Sequence, residues 1–395
     1  MKPLAFKTGD FNKTVSCFFI FFIFLCLSFS GFAQNSNADF HYARNADEIT
    51  VIAENLNLSA DPYWHTLLHY KPAAFHKVKS LVDDKNFFCA ADGKTNPKSE
   101  LNATIQAFFE PEKKDGTRHA IERFPGRYKW LCRKLNLSED DFPYNGDRKY
   151  QEKYAELNPG NVYLVFSSGY LKRPASVFGH TFLLIESKHK PHLSAPCINY
   201  GAVTNIKNGF LYSLLGLFGG FRGYYGFEPY YKKIKQYADI DMRDMWEYKL
   251  NLTADETDSL LRHVFDLQNV YSKYFFISEN CSFNLLFLIE AARPQTNATL
   301  KLNKIVEPVE TVKLINSLGM TANTSYRPSV YSKIEQEKKN LSGKQQKYIK
   351  ELCFGKKEAE DFPFSNCSPE TQAKIWDTAA DYLSALLASG EITAE

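Results

Sequence analysis

The segment Phe275 to Pro294, FFISENCSFNLLFLIEAARP, leaves the chain few choices. Tyr274, Phe275, Phe276 and Ile277 are aromatic or β-branched and suit a strand or a buried loop. After them Phe283, Leu285, Leu286, Ile289 and Ala292 recur at helical spacing. This spacing predicts a largely buried helix that starts near Cys281 and stops before Pro294. Ser278 or Asn280 is its N-cap, because a short side-chain oxygen there accepts from one of the four N–H groups that a first turn leaves unpaired. The thiol of Cys281 then lies on that first turn, where the helix dipole and the spare N–H groups favour the thiolate, the nucleophilic form. Most buried cysteines act as small hydrophobes. The polar SENCS collar argues against that role here, since burial alone does not select such neighbours.

A nucleophilic thiol has to be reconciled with the compartment. Lys2, Lys7 and Lys13 precede an uncharged apolar run from Cys17 to Phe29, and Gly31 and Ala33 supply small residues at the −3 and −1 positions. That is the pattern of an export signal cleaved after Ala33. The run is shorter than the roughly 20 residues a membrane helix needs, and no second run reaches that length. Cys17 and Cys26 leave with the signal, and Cys89, Cys132, Cys197, Cys281, Cys353 and Cys367 remain. An even count in an oxidising compartment usually means bridges, but a working Cys281 must stay free. Cys353 with Cys367 is the first expectation for a bridge and Cys89 with Cys132 the second. With 48 basic against 45 acidic residues the net charge is +3, so nucleic acid is not an indicated partner, whereas a membrane surface remains open.

The remaining pattern divides 1–33 as signal, 34–157 as a helical region, 158–300 as a catalytic unit and 301–395 as a second helical region. In the first helical region Asp61-Pro62 reads as N-cap and N1, and a helix follows over 97–109. The basic, aromatic stretch ERFPGRYKWL (122–131) reads as long cationic stems lying over a core. Val162 to Phe166, Phe182 to Ile185 and Cys197 to Ala202 are β-prone runs, the last two expected to pair antiparallel, so the catalytic unit holds a small antiparallel sheet. Gly209 to Tyr225, GFLYSLLGLFGGFRGYY, reads either as a buried strand and turn or as an apolar flap. As a flap it would set Leu214, Leu217 and Phe218 against an acyl chain. Thr253 to Glu256 is a capping box opening a helix, a charged helical segment runs over 331–352, and a last helix spans Ser368-Pro369 to Gly390.

A cysteine nucleophile needs a base, and His180 is singled out because it stands between Gly179 and a strong strand. PASVFGHTFLLI (174–185) and ENCSFNLL (279–286), with INYGA (198–202) and RDMWEYKLNLT (243–253) between them, resemble the bacterial Lnb amino-terminal periplasmic domain family over 161–294. The helical region before it is also similar to the segment that precedes this domain in relatives.

The resemblance implies an α+β fold: a permuted papain-like antiparallel sheet with a Cys-bearing helix, flanked by helical N- and C-terminal regions. It makes Cys281 the nucleophile and His180 the base. Asn199 is the orienting residue, with Tyr200 and Glu186 as rivals. Asn280 and Ser282 are oxyanion or positioning residues. It further implies an enzyme of the bacterial periplasm or cell envelope, a thiol acyltransferase or hydrolase that could act as a lipoprotein N-acyltransferase. Such an enzyme has a lipid or lipoprotein substrate and peripheral membrane contact, and it needs no cofactor. A family member that is such an acyltransferase also carries a carboxyl-terminal membrane domain, so acyl transfer is better supported than any particular acceptor. A peptidoglycan or peptide amidase using the same Cys and His, and a non-catalytic envelope scaffold, are the alternatives. No Cys or His pair has metal-ligand spacing around these motifs.

Overall fold

In the computed structural model the described residues are 45–393, apart from 75–76, 113–115, 170–176, 207, 303–304 and 365. The expected export signal lies outside them.

The β-prone runs assemble into one sheet of seven strands, all neighbours antiparallel. A two-stranded ribbon comes first in the chain, β1 (Tyr70–Pro72) and β2 (Val78–Ser80). The large sheet takes β3 (Pro159–Ser167), β4 (His180–Ser187), β5 (Pro196–Val203), β6 (Phe221–Pro229), β7 (Met245–Leu250), β8 (Tyr271–Tyr274) and β9 (Thr321–Arg327), in the order β8-β6-β5-β4-β3-β7-β9. β4 is central and buried on both faces, which is why Phe182-Leu183-Leu184-Ile185 is a continuous apolar run and not an alternating one. Phe182 and Leu184 pack with Val165, Cys197, Tyr230, Tyr237 and Met245. Against β4 and β5 also packs the helix of the SENCS segment.

Among the described residues six helices precede the sheet: α1 (Ala46–Asn55), α2 (Pro62–Leu67), α3 (Pro97–Phe108), α4 (Ala120–Arg123), α5 (Pro125–Leu135) and α6 (Asp147–Leu157). Asp61 caps α2 through Tyr63 N–H, with Pro62 at N1, as its sequence predicts. The 122–131 stretch is not a surface. Arg127 is fully buried, paired with Glu100 at 2.7 Å and stacked over the Phe87 and Phe124 rings. A buried carboxylate on α3 gives this arginine a partner inside, which a local reading of the stretch cannot reveal.

Between and after the strands run α7 (Gly209–Leu217), α8 (Tyr230–Ile234), α9 (Ala254–Asp266), α10 (Cys281–Ala292), α11 (Ala298–Lys301), α12 (Pro308–Ser317), α13 (Val330–Lys338), α14 (Gly343–Cys353) and α15 (Pro369–Ser389). The expected capping box closes on α9, where Thr253 and Glu256 satisfy each other's backbone N–H groups. Gly126 N–H at the start of α5 donates to Asp266 Oδ1 at the end of α9, 2.8 Å away; a Cβ there would stand 2.5 Å from Asp266 Oδ2. α9 lies along α10, so the N-terminal helices are tied to the helix that carries the thiol.

Three expectations change. The 209–225 stretch is not a buried strand and turn throughout: it is α7 followed by the start of β6. Its leucines lie at helical spacing, and the strand begins only after Gly219-Gly220. The region beyond residue 300 is not helical throughout, because β9 is the sheet's edge strand, paired with β7 from Met245↔Arg327 to Leu250↔Thr321. Thr321 to Arg327 is polar and mostly exposed, so it lacks the apolar alternation that marks a strand. All six described cysteines are free thiols. Cys353 faces α15, donating to Ala379 O, while Cys367 receives Gln345 Nε2, so the expected bridge is not formed; neither is Cys89 with Cys132.

Candidate active site

α10 begins at Cys281 because Asn280 is its cap. The Asn280 Oδ1 accepts Phe283 N–H at 3.2 Å, and its Nδ2 donates to Phe276 O (3.2 Å) and Val306 O (2.6 Å). With oxygen and amide both engaged, its side chain holds the helix start in place and is not turned to a reacting group. Ser282 also positions: its Oγ is 2.8 Å from Thr181 Oγ1, which pins the first turn of α10 to β4.

β4 then delivers the histidine. His180 is its first residue, and the β4–β5 register pairs Leu183 with Ile198 and Leu184 with Cys197. One step further along that register, Asn199 stands opposite Phe182, on the face His180 shares. His180 Nε2 and Asn199 Oδ1 are 2.5 Å apart. An amide oxygen can only accept, so Nε2 carries the hydrogen and Nδ1 is left as the acceptor for the thiol proton. Cys281, His180 and Asn199 are thus brought together from a helix start and two adjacent strands.

The rivals fall elsewhere. Glu186 lies down β4, where Asn161, Tyr163 and His192 bond to it. Tyr200 points to the opposite side of β5, stacked on Tyr274 with centroids 5.7 Å apart.

The electrostatics separate Cys281 from its fellow cysteines. Its residue is only 3% exposed, and burial pushes the thiol upward. The charge and hydrogen bond of His180, the Thr181 N–H and the Ser282 hydroxyl oppose this and hold it at about 6, below an ordinary cysteine. At Cys89, Cys132, Cys197 and Cys353 burial outweighs the neighbouring charges and hydrogen bonds and pushes the thiol up.

Two tyrosines complete the surroundings and were not singled out from sequence. Tyr274 ends β8, and its hydroxyl oxygen accepts Cys281 N–H at 3.2 Å; burial and the adjoining thiolate raise it well above an ordinary phenol. Tyr237 sits on a π-helical turn, Lys235–Ile240, with its ring 5.8 Å from that of His180 and the Arg243 guanidinium 4.6 Å from its centroid. A π turn inserted into a helix often marks a functional site, but sequence carries no reliable sign of one.

Leu214, Leu217 and Phe218 lie on the exposed side of α7. That helix reaches the site through the 275–276 loop: Phe276 N–H donates to Gly216 O at 2.9 Å, and a Cβ on Gly216 would stand 2.2 Å from the Phe276 ring. A cavity of about 400 Å³ lies on the other side of the collar, lined by Lys71, Leu81, Ser278, Glu279, Phe283 and Leu300 among others. Among the described residues no three His, Cys, Asp or Glu side chains stand close enough together to hold a metal ion.

Residues 149–317, which contain all of these site residues except Lys71 and Leu81, match the model of the Lnb N-terminal periplasmic domain. Two further models, each described only as a domain of unknown function, match 56–134 and 324–395. No curated protein and no solved structure matches the chain. No helix among the described residues is long and apolar enough to cross a membrane. The central segment, and with it His180, Asn199 and Cys281, matches the Lnb N-terminal periplasmic domain family, and the protein is one of the bacterial periplasm.

Proposed function

We propose that this chain is a cell-envelope cysteine acyltransferase or hydrolase that works through a thioester on Cys281. One observation carries the reading: a thiol held at about 6 beside a histidine whose far nitrogen is fixed by an asparagine oxygen. His180 takes the thiol proton at Nδ1, and the thiolate attacks the carbonyl carbon of an acyl ester. The oxyanion that forms lies near the Tyr274 hydroxyl, which accepts Cys281 N–H and keeps its own O–H to donate. Collapse breaks the ester C–O bond, His180 returns its proton to the departing alcohol, and the acyl group stays on sulfur. A second nucleophile, an amine or water, gives its proton to His180, attacks the thioester and releases an amide or an acid with the thiol restored.

The histidine precedes the cysteine in the chain, which is the order of a permuted papain-like enzyme. The apolar outer side of α7, with Leu214, Leu217 and Phe218, supports a lipid or lipoprotein substrate and contact with a membrane.

Intact-mass measurement after incubation with a glycerolipid ester tests the proposal. The expected result is an acyl adduct that hydroxylamine removes and that Cys281→Ala never forms. Cleavage of cell-wall sacculi without any acyl adduct would replace it with the amidase reading.

A further inference from the structure

The side of α7 that points away from the sheet is unusual for a protein of the periplasm. Phe210, Leu211, Leu214, Leu217 and Phe218 follow one another at the i, i+1, i+4, i+7, i+8 spacing of a single helical stripe, and all five are exposed, Phe210 to 80% and Phe218 to 75%. The opposite side is packed: Tyr212 and Leu215 lie against the cluster of Tyr200, Phe221 and Tyr274, and Gly216 is buried on Phe276. The helix is therefore anchored through its inner side and presents its outer side as an apolar ridge.

Along the chain the charges beside that ridge are of one sign, and Asp83, whose carboxylate accepts Lys273 N–H, is paired with Lys94. From Val203 to Phe227 the chain has no carboxylate, and its two charged residues, Lys207 and Arg222, are cationic and flank the helix in sequence. Lys273 lies directly across from Arg222 in the β6–β8 register, and both are exposed. An uncharged apolar stripe with aromatic ends and a cationic border has the chemistry of a helix lying in a bilayer interface. There the apolar side enters the acyl boundary and lysine and arginine meet anionic headgroups.

We propose that α7 seats this protein on an anionic phospholipid surface, with Phe210 and Phe218 as its two ends. The binding is independent of catalysis. In combination with the thioester reading, which it extends, it names the bilayer itself as the source of the acyl donor, because α7 is hydrogen-bonded through Gly216 to the loop that leads into Cys281.

Sedimentation with vesicles, performed on the Cys281→Ala protein so that no turnover contributes, tests the inference apart from the chemistry. The protein is expected to bind vesicles containing phosphatidylglycerol, to bind pure phosphatidylcholine more weakly, and to release as salt is raised. Phe210→Asp is expected to lower that binding at least tenfold with Tm unchanged, and Phe210→Trp to keep it and to shift its fluorescence to the blue when vesicles are added. Failure of the parent protein to sediment, or equal binding by Phe210→Asp, overturns the proposal. So does a dimer in light scattering that Phe210→Asp dissociates, which assigns the ridge to a second copy of this chain.

Discussion

Cys281 differs from Cys197 and Cys353, which are buried as it is, in its neighbours and not in its burial. This gives the residue scale a test with a definite sign. The folded thiol ionises at about 6, so iodoacetamide labelling of Cys281 should rise through a midpoint near there and fall away below it. His180→Ala removes the opposing charge and leaves burial in force, so the midpoint should move above about 8.5, the free-cysteine value. A midpoint that stays put in His180→Ala would exclude the histidine as the cause. Asn199→Ala should lower kcat about tenfold to a hundredfold with KM little changed, since the orienting, part-buried hydrogen bond is worth about 1–3 kcal/mol. Tyr274→Phe separates an oxyanion donor from a packing group: the ring is kept, so a fall in kcat with unchanged Tm is expected. His180→Ala and Cys281→Ala combined should cost no more than either alone, because the two act as one unit. A double variant far worse than both would mean two independent mechanisms.

α7 holds the 275–276 loop through Gly216, where any side chain meets Phe276, whose carbonyl in turn receives Asn280 Nδ2. Gly216→Val is therefore expected to lower both Tm and short-chain ester turnover although it lies away from the thiol. Leu217→Asp makes the opposite prediction. Leu217 is 46% exposed, so stability should change by no more than about 0.5 kcal/mol. Long-chain ester turnover should fall at least tenfold while short-chain turnover stays. Equal loss on both chain lengths would remove the acyl contact.

At the scale of the whole chain, residues 44–395 form one compact unit, and the N-terminal helices are part of the support for α10. Glu290 on α10 accepts from Thr66 Oγ1 at 2.9 Å and from Thr299 N–H and Oγ1 at 2.9 and 2.7 Å, joining three regions at one carboxylate. Arg262 on α9 bonds Asp147 and Asp258, and Gly126 rests on Asp266. Deep in the N-terminal helices, Arg127→Ala should destabilise by about 3–5 kcal/mol, because Glu100 is left buried and unpaired. Arg127→Met with Glu100→Leu should regain most of that. Denaturant titration of the single and paired variants decides it: equal losses in both would mean that packing of the guanidinium, not its charge, is what matters.

The sequence by itself determined the elements whose signals are local. The helix start at Cys281 with its Asn280 cap, the Thr253 capping box, the Asp61-Pro62 start and the Ser368 to Gly390 helix each follow from caps and periodicity within a few residues. His180 and Cys281 were legible because each sits at the end of a strongly patterned element, and Asn199 because the neighbouring strand was. What only the tertiary structure decided depends on distant partners. Arg127 is interior because Glu100 is, Thr321 to Arg327 is a strand because β7 offers an edge, and Tyr274 and Tyr237 reach the site because β8 and a π turn aim them there. The exposed stripe of α7 belongs to both: its spacing is in the sequence, but which side faces outward is set by Tyr212, Leu215 and Gly216 packing inward. The acidity of Cys281 is the clearest case, since the helix start is local but the histidine that opposes burial comes from about a hundred residues away, and long-range electrostatics in a low-dielectric interior leaves no trace in a local pattern.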